Sequence, residues 1–213
     1  MNIVIFGATG PTGRLLLQQG LSGDYSYTIT AVARRPEAIE LHHERLRVVR
    51  GDVLDTASVE QAITGQDAVI TVVGGQYTFI KPVTLYSIGA QNIVNAMEKL
   101  QVQRLVAVTS GGTNPVHDTH EGFVFGRIIK PIIGRTLYAD MRRMEQIVMA
   151  SPLDWTIVRP ARLINIPEVG KYRIGEGYVL PDGGATSRAD LADFMLQEVQ
   201  RNQHLKQGVA IAK

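Results

Sequence analysis

Short apolar runs punctuate the chain at residues 2–6, 27–33, 46–49, 67–73, 104–108 and 155–158, and stretches with helical spacing separate them. The run at 67–73 is almost continuously apolar, as a strand buried on both faces must be. The intervening segments predict helices over 11–20, 57–63, 82–99 and 137–150. In the third of these, Ala90, Ile93, Val94, Met97 and Leu100 recur at three- and four-residue steps and form one apolar face. Leu137, Met141, Met144 and Val148 do the same in the fourth. A last helix starts at Ser187, a hydroxyl N-cap followed three residues on by Asp190 as an analogue of the capping box. Leu191, Ala192, Met195 and Val199 form its stripe, and 208–212 reads as a closing strand. Residues 172–174 and 178–180, on either side of Gly175-Glu176-Gly177, predict a small β-ribbon. Alternation of strand and helix predicts an α/β fold: a doubly wound parallel sheet in three α/β/α layers with right-handed crossovers. One domain over 1–213 accommodates the pattern, with segments at about 111–137 and 161–186 left over to cover one side of it.

The first strand runs into Gly7-Ala8-Thr9-Gly10-Pro11-Thr12-Gly13-Arg14, and a helix follows directly. Strand, glycine turn and helix together form the context in which such glycines cradle a pyrophosphate. Gly7 permits a tight turn, Gly10 lets phosphate approach the backbone, and Gly13 lets the helix pack close to the sheet. The helix N-terminus offers free N–H groups, Thr9 and Thr12 add hydroxyls, and Pro11 suits a first helical turn. The spacing is G-x-x-G-x-x-G. Arg34 and Arg35 follow the second strand, where an acid would bind a ribose 2′-hydroxyl and arginine instead suits a 2′-phosphate. Arg14 is placed to join them. Together these residues predict NADP(H) in preference to NAD(H). Asp52 and Val53, at the end of the third strand, are candidates for the adenine. Gly74 and Gly75, ending the fourth, allow close approach of the ribose and diphosphate. Thr109 and Ser110 end the fifth and face the expected nicotinamide position.

Composition narrows the reading without changing it. The chain has 213 residues, a net charge of +2 and no cysteine. Disulfides, thiolate chemistry and cysteine metal sites are excluded, and the small charge predicts neither nucleic-acid nor membrane binding. No apolar run approaches the roughly 20 residues needed to span a bilayer, and a cytoplasmic location is expected. His117 and His120, with Asp118 and Glu121, read as a polar loop rather than a metal site, because no further ligand is defined. A short helix is expected near 122–130.

The motifs resemble those of the atypical short-chain dehydrogenase/reductases over nearly the whole chain. They are Gly-Ala-Thr-Gly-x-Thr-Gly at 7–13, Ala-Arg-Arg-Pro at 33–36, Gly-Asp-Val at 51–53 and Gln-Asp-Ala-Val-Ile at 66–70. Gly-Ala-Gln-Asn-Ile-Val at 89–94, Val-Thr-Ser at 108–110, Leu-Asp-Trp-Thr-Ile-Val-Arg-Pro at 153–160 and Ser-Arg-Ala-Asp-Leu-Ala at 187–192 continue the match. Within that group the chain is similar to the NAD(P)H-binding, NmrA-like branch and to proteins of the biliverdin reductase B, or flavin reductase, type. The resemblance implies a Rossmann fold and NADP(H). Two departures bear on chemistry. The Tyr-x-x-x-Lys pair of the larger family is matched only by Tyr138-x-x-x-Arg142, and Ala161 stands where flavin-reductase relatives carry histidine. Ser110, and secondarily Tyr138, are therefore the candidate catalytic residues. The resemblance implies an oxidoreductase that passes hydride from NADP(H) to a flat acceptor such as a flavin, quinone or tetrapyrrole. The alternative it implies is a non-catalytic NADP(H) sensor that meets a protein partner.

Overall fold

The computed structural model describes residues 1–22, 25–75, 83–114 and 134–213. The strands in chain order are β1 (Asn2–Phe6), β2 (Thr28–Ala33), β3 (Leu46–Arg50), β4 (Ala68–Thr71) and β5 (Arg104–Val108). They continue as β6 (Asp154–Pro160), β7 (Arg162–Ile164), β8 (Arg173–Glu176), β9 (Ala185–Ser187) and β10 (Gln207–Ala212). The α-helices are α1 (Pro11–Gly20), α2 (Thr56–Ile63), α3 (Leu85–Leu100), α4 (Ala139–Ala150) and α5 (Arg188–Arg201). Among the described residues the main sheet runs β3-β2-β1-β4-β5-β6-β10-β8, and β7 pairs with β9 apart from it. The order 3-2-1-4-5-6 is that of the Rossmann fold. β1 pairs in parallel with both β2 and β4, so the chain reverses its direction of progress between β1 and β4. At that reversal the loops on the carboxyl side of the sheet part and leave room for a ligand.

Two apolar clusters fill the layers. One face of the sheet packs Val4, Phe6, Val69 and Leu105 against Val59, Ile63, Ile93, Met97, Met144 and Val148 of α2, α3 and α4. The other packs Ile3, Ile5, Ile70 and Val106 against Leu16, Leu17, Leu191, Met195 and Val199 of α1 and α5. Alternate residues of β1 thus serve opposite faces, as strand geometry requires. The inward stripes expected for the last three helices are the observed ones.

Several boundaries differ from expectation for identifiable reasons. β4 stops at Thr71, because its partner β1 ends at Phe6 and Gly7 turns away. β3 extends to Arg50, which pairs with Ala33. The ribbon between 172–174 and 178–180 does not form. β8 instead pairs antiparallel with β10, whose free edge offers a complete row of backbone groups, and Gly177 turns the chain out at φ +105°. Ser187 caps α5 as expected, accepting from the Ala189 N–H at 3.1 Å. Asp190 does not complete a capping box: it is fully buried, accepts from the Gly170 N–H at 2.7 Å and faces the Lys213 ammonium at 3.7 Å. The helix expected near 122–130 lies outside the described residues.

The start of α3 is capped from another helix. Thr84 supplies no side-chain cap. The buried carboxylate of Asp140, on α4, accepts from the Tyr86 N–H at 2.8 Å, the Ser87 N–H at 3.3 Å and the Ser87 hydroxyl, and pairs with Arg143. That contact ties α4 to the start of α3. Among the described residues no helix is long and apolar enough to cross a membrane.

Candidate functional site

At the switch point Gly7 adopts φ +89°, a left-handed conformation that glycine tolerates. A Cβ there would stand 2.6 Å from the Val72 carbonyl oxygen, so the β1 and β4 ends abut. The Gly10 N–H donates to the Gly7 oxygen at 3.0 Å and closes the turn. A Cβ on Gly13 would come within 2.7 Å of the Ala8 Cα, and closer still to the Gly7 oxygen. α1 can lie against the turn only because that position is glycine. The helix starts from Gly10 with no side-chain cap, Pro11 in its first turn and no acidic residue there. Its first N–H groups and its dipole therefore point outward without an internal anion, which makes an anion seat. Thr12 is buried, Thr9 is half-buried and Pro11 is exposed on the lip. Arg14 bridges the turn to the next segment, donating from Nε to the Thr9 oxygen at 3.2 Å and from Nη2 to the Ala38 oxygen at 3.3 Å.

Arg34 and Arg35 leave β2 at the same sheet edge, and both are exposed. Among the described residues neither forms an ion pair. Asp52 sits beside them at the end of β3. Its Oδ1 accepts from the Leu54 N–H at 3.0 Å, and its own N–H donates to the Ser58 hydroxyl at 3.0 Å. The carboxylate is engaged in its own turn, the geometry of an Asx turn. Val53 is buried against Gly89, and its carbonyl accepts from Asn92 at 2.9 Å. Val53, Thr71, Val73, Leu85, Gly89 and Met144 line a small cleft between the β4 end and α3. Gly74 and Gly75 are exposed above it.

Across the switch point, β5 ends in Thr109 and Ser110. Thr109 is buried, and its hydroxyl donates to Glu145 at 2.6 Å, into the protein and away from the edge. Ser110 opens a 3₁₀ turn over Gly111–Thr113 and accepts from the Gly112 N–H at 3.1 Å. That bond leaves the hydroxyl hydrogen of Ser110 unused. Tyr138 ends a π-helical turn, Gly134–Tyr138, that leads into α4. Its ring lies over Gly112, with its hydroxyl 2.7 Å from where a Cβ would stand. The fold thus brings Ser110 and Tyr138 to one turn although 28 residues separate them in the chain. Ala161 follows Pro160, whose carbonyl oxygen stands 3.5 Å from where a Gly111 Cβ would be, and its N–H donates to the Thr186 hydroxyl at 2.9 Å. His117, Asp118, His120 and Glu121 lie outside the described residues, and among those described no three metal-ligating side chains cluster.

Sequence reasoning passed over three residues behind this turn. Glu145 and Arg159 form a buried bidentate ion pair, and the Arg159 guanidinium lies 4.0 Å from the ring centroid of Tyr178. A signal existed. Glu145 falls four residues after Met141 and three before Val148, an acid on the apolar face of its helix. Arg159 directly follows the apolar pair Ile157-Val158 in a strand whose last six residues are buried.

A family model for NAD(P)H-binding proteins matches residues 7–202. A chloroplastic protein of Arabidopsis thaliana is 29% identical over 181 residues, covering 79% of this chain and 61% of the relative. A second is 24% identical and covers 94% of this chain and 66% of that protein. The chain thus spans less than two thirds of the length of these curated relatives. Among solved structures, an oxidoreductase from Lactococcus lactis superposes with TM-score 0.81 at 23% identity, covering all of this chain and 91% of that one. A short-chain dehydrogenase/reductase from Veillonella parvula, in complex with NADP, gives 0.78 at 20% identity and covers all of this chain and 94% of its own. An anaerobilin reductase from Escherichia coli gives 0.76 at 21% identity, covering all of this chain and 97% of that one. At these identities the superpositions establish a shared fold.

Proposed function

The chain belongs to the NAD(P)H-binding family, and on that premise we propose that it is an NADP(H)-dependent oxidoreductase of the atypical short-chain dehydrogenase/reductase type. In this reading it passes hydride to a flat, electron-poor acceptor such as a flavin, quinone or tetrapyrrole. The observation that carries the reading is a juxtaposition at one sheet edge. The glycine turn and two exposed arginines stand on one side of the switch point, and Ser110 with Tyr138 stands on the other.

The residues fit a dinucleotide. Gly7 and Gly13 make a cradle that a Cβ would fill, and the uncapped start of α1 accepts a diphosphate. Arg34 and Arg35, aided by Arg14, hold a 2′-phosphate through charge-assisted bonds. The Val53 backbone, at the end of β3, meets the adenine ring. Gly74 and Gly75 leave room for ribose and diphosphate. Bound there, the nicotinamide supplies the hydride. Ser110 orients the ring or the acceptor by donating its hydroxyl hydrogen, and Tyr138 presents its phenol at the same turn. Orientation of this kind is most of what a protein adds to hydride transfer. Stopped-flow oxidation of NADPH with flavin mononucleotide and with quinones tests the proposal. Turnover above background with any of them is expected, and none with all of them would sink it.

A second reading draws on two residues. Arg142 replaces the family lysine and Ala161 the relatives' histidine, which suits an NmrA-like NADP(H) sensor. A sensor must bind NADP⁺ and NADPH with different affinities to shift a protein-binding surface. Equal affinities measured by titration would remove it.

A further inference from the structure

The most constrained polar group at this edge is one that the chemistry above does not use. Glu145 is 1% exposed on α4. Its Oε1 accepts from the Thr109 hydroxyl at 2.6 Å, the Thr113 hydroxyl at 3.0 Å and Arg159 Nε at 3.1 Å, and its Oε2 accepts from Arg159 Nη2 at 2.8 Å. Thr109 and Thr113 flank Ser110, so one carboxylate holds the turn from both ends. The single hydroxyl proton of Thr113 is shared between Glu145 and the Ser110 carbonyl, which lies 2.7 Å away. Arg159 carries the same network to the far wall. Its Nη1 donates to the Gly177 carbonyl at 3.0 Å, and its guanidinium stacks on Tyr178. The Tyr178–Val179 segment in turn presses on Gly111, where a Cβ would stand 2.9 Å from the Tyr178 carbonyl oxygen. Tyr138 precedes Glu145 by seven residues, two helical turns, and presses on Gly112.

Stability alone gives little reason for this arrangement. Desolvating two charges offsets most of their attraction, and an apolar pair of like volume commonly serves as well. The network does provide fixed geometry among three segments distant in sequence. We infer that the Glu145–Arg159 pair is a positioning device: it holds the Ser110–Thr113 turn against the nicotinamide half of the dinucleotide and sets how the Tyr138 ring and the Tyr178 backbone meet that turn. The inference rests on the dinucleotide reading above, in which β4, β5 and β6 carry the nicotinamide half.

The test separates the two halves of the ligand and requires no turnover. NADPH and 2′-phospho-ADP-ribose, which lacks nicotinamide, are titrated into the wild-type chain, Thr113→Val and Thr113→Ser, and the emission of bound NADPH is recorded. Thr113→Val removes one arm of the network and leaves the ion pair intact. It is expected to lower the affinity for NADPH relative to 2′-phospho-ADP-ribose about tenfold, the worth of one well-placed hydrogen bond. Bound-NADPH emission should move toward that of the free cofactor, and Thr113→Ser should restore both. A merely structural hydroxyl would weaken both ligands alike, and an unchanged ratio overturns the inference. Failure of the wild-type chain to bind either ligand overturns the dinucleotide reading itself and shows before any variant is made. Should Thr113→Val not fold, Thr109→Val removes the arm on the other side of Ser110 and is read in the same way.

Discussion

The arginine pair after β2 gives a quantitative prediction. Arg34 and Arg35 are exposed and, among the described residues, unpaired, so replacing them breaks no internal contact. Any loss on substitution therefore belongs to the ligand. A hydrogen bond to a charged group contributes about 1.5–3 kcal/mol where it is sheltered. These side chains stand in water, where salt screens charges beyond about 8 Å and ordering a long side chain costs about 0.5–1.5 kcal/mol. A net worth of about 1 kcal/mol for each arginine follows, or about 2 kcal/mol for the pair. Arg34→Ala combined with Arg35→Ala should then weaken NADPH about 30-fold. NADH has no 2′-phosphate and should lose no more than about threefold, since only ring stacking and the general field are removed. Isothermal titration calorimetry of both cofactors at about 0.15 M ionic strength measures the two losses. Raising the salt should narrow the wild-type preference and leave that of the variant unchanged. Equal losses of NADPH and NADH would refute the 2′-phosphate argument.

Three further outcomes follow from the interior. Asp140→Ala loses the cap that α4 provides for α3; it should cost about 1–2 kcal/mol and lower Tm by about 2–8 °C in calorimetry. An unchanged Tm would mean that α3 starts as well without it. Glu198→Gln leaves Arg104 without its carboxylate partner, 2.9 Å away in the buried interior, and should destabilise by about 3–5 kcal/mol; adding Arg104→Met should recover part of the loss. Denaturant midpoints decide it, and a single variant of wild-type stability would contradict the account. The third concerns alkali. Burial pushes the Tyr27 phenol up to about 12 from its ordinary value of about 10, and its hydroxyl donates to the Leu196 carbonyl at 2.8 Å. Burial and the neighbouring Asp193 carboxylate raise Tyr25 and Tyr172 in the same direction. The folded state favours the neutral phenols, so this contribution is complete below about pH 10 and is lost as pH rises through about 12. Urea midpoints across that window should fall steeply for the wild type and less for Tyr27→Phe; parallel curves would exclude Tyr27 as a source.

Local sequence was enough to propose where a phosphate would sit. Gly7, Gly10, Gly13, Arg34 and Arg35 are named by their positions within single strand–turn units, and the physics at each is a matter of neighbouring dihedrals and strand ends. The helix stripes were legible for the same reason, because their three- and four-residue spacing is local. Ser110 was visible too, as the hydroxyl following an apolar run. Its geometry was not. The turn it occupies is shaped by Gly112 against Tyr138, and only the packing of α4 brings those together.

Legible from the amino-acid sequence were the alternation of strands and helices and the glycine turn between β1 and α1. The tertiary structure decided the partners of the polar groups. Asp140 capped a helix that begins 55 residues before it, and β8 found the edge of β10 rather than its own neighbour. Glu145 met Arg159 and the two threonines around Ser110 in the same way. Buried polar atoms must be paired, but any nearby donor or acceptor satisfies that demand. Which one does so depends on the crossovers and the layer packing, quantities that no local spacing encodes.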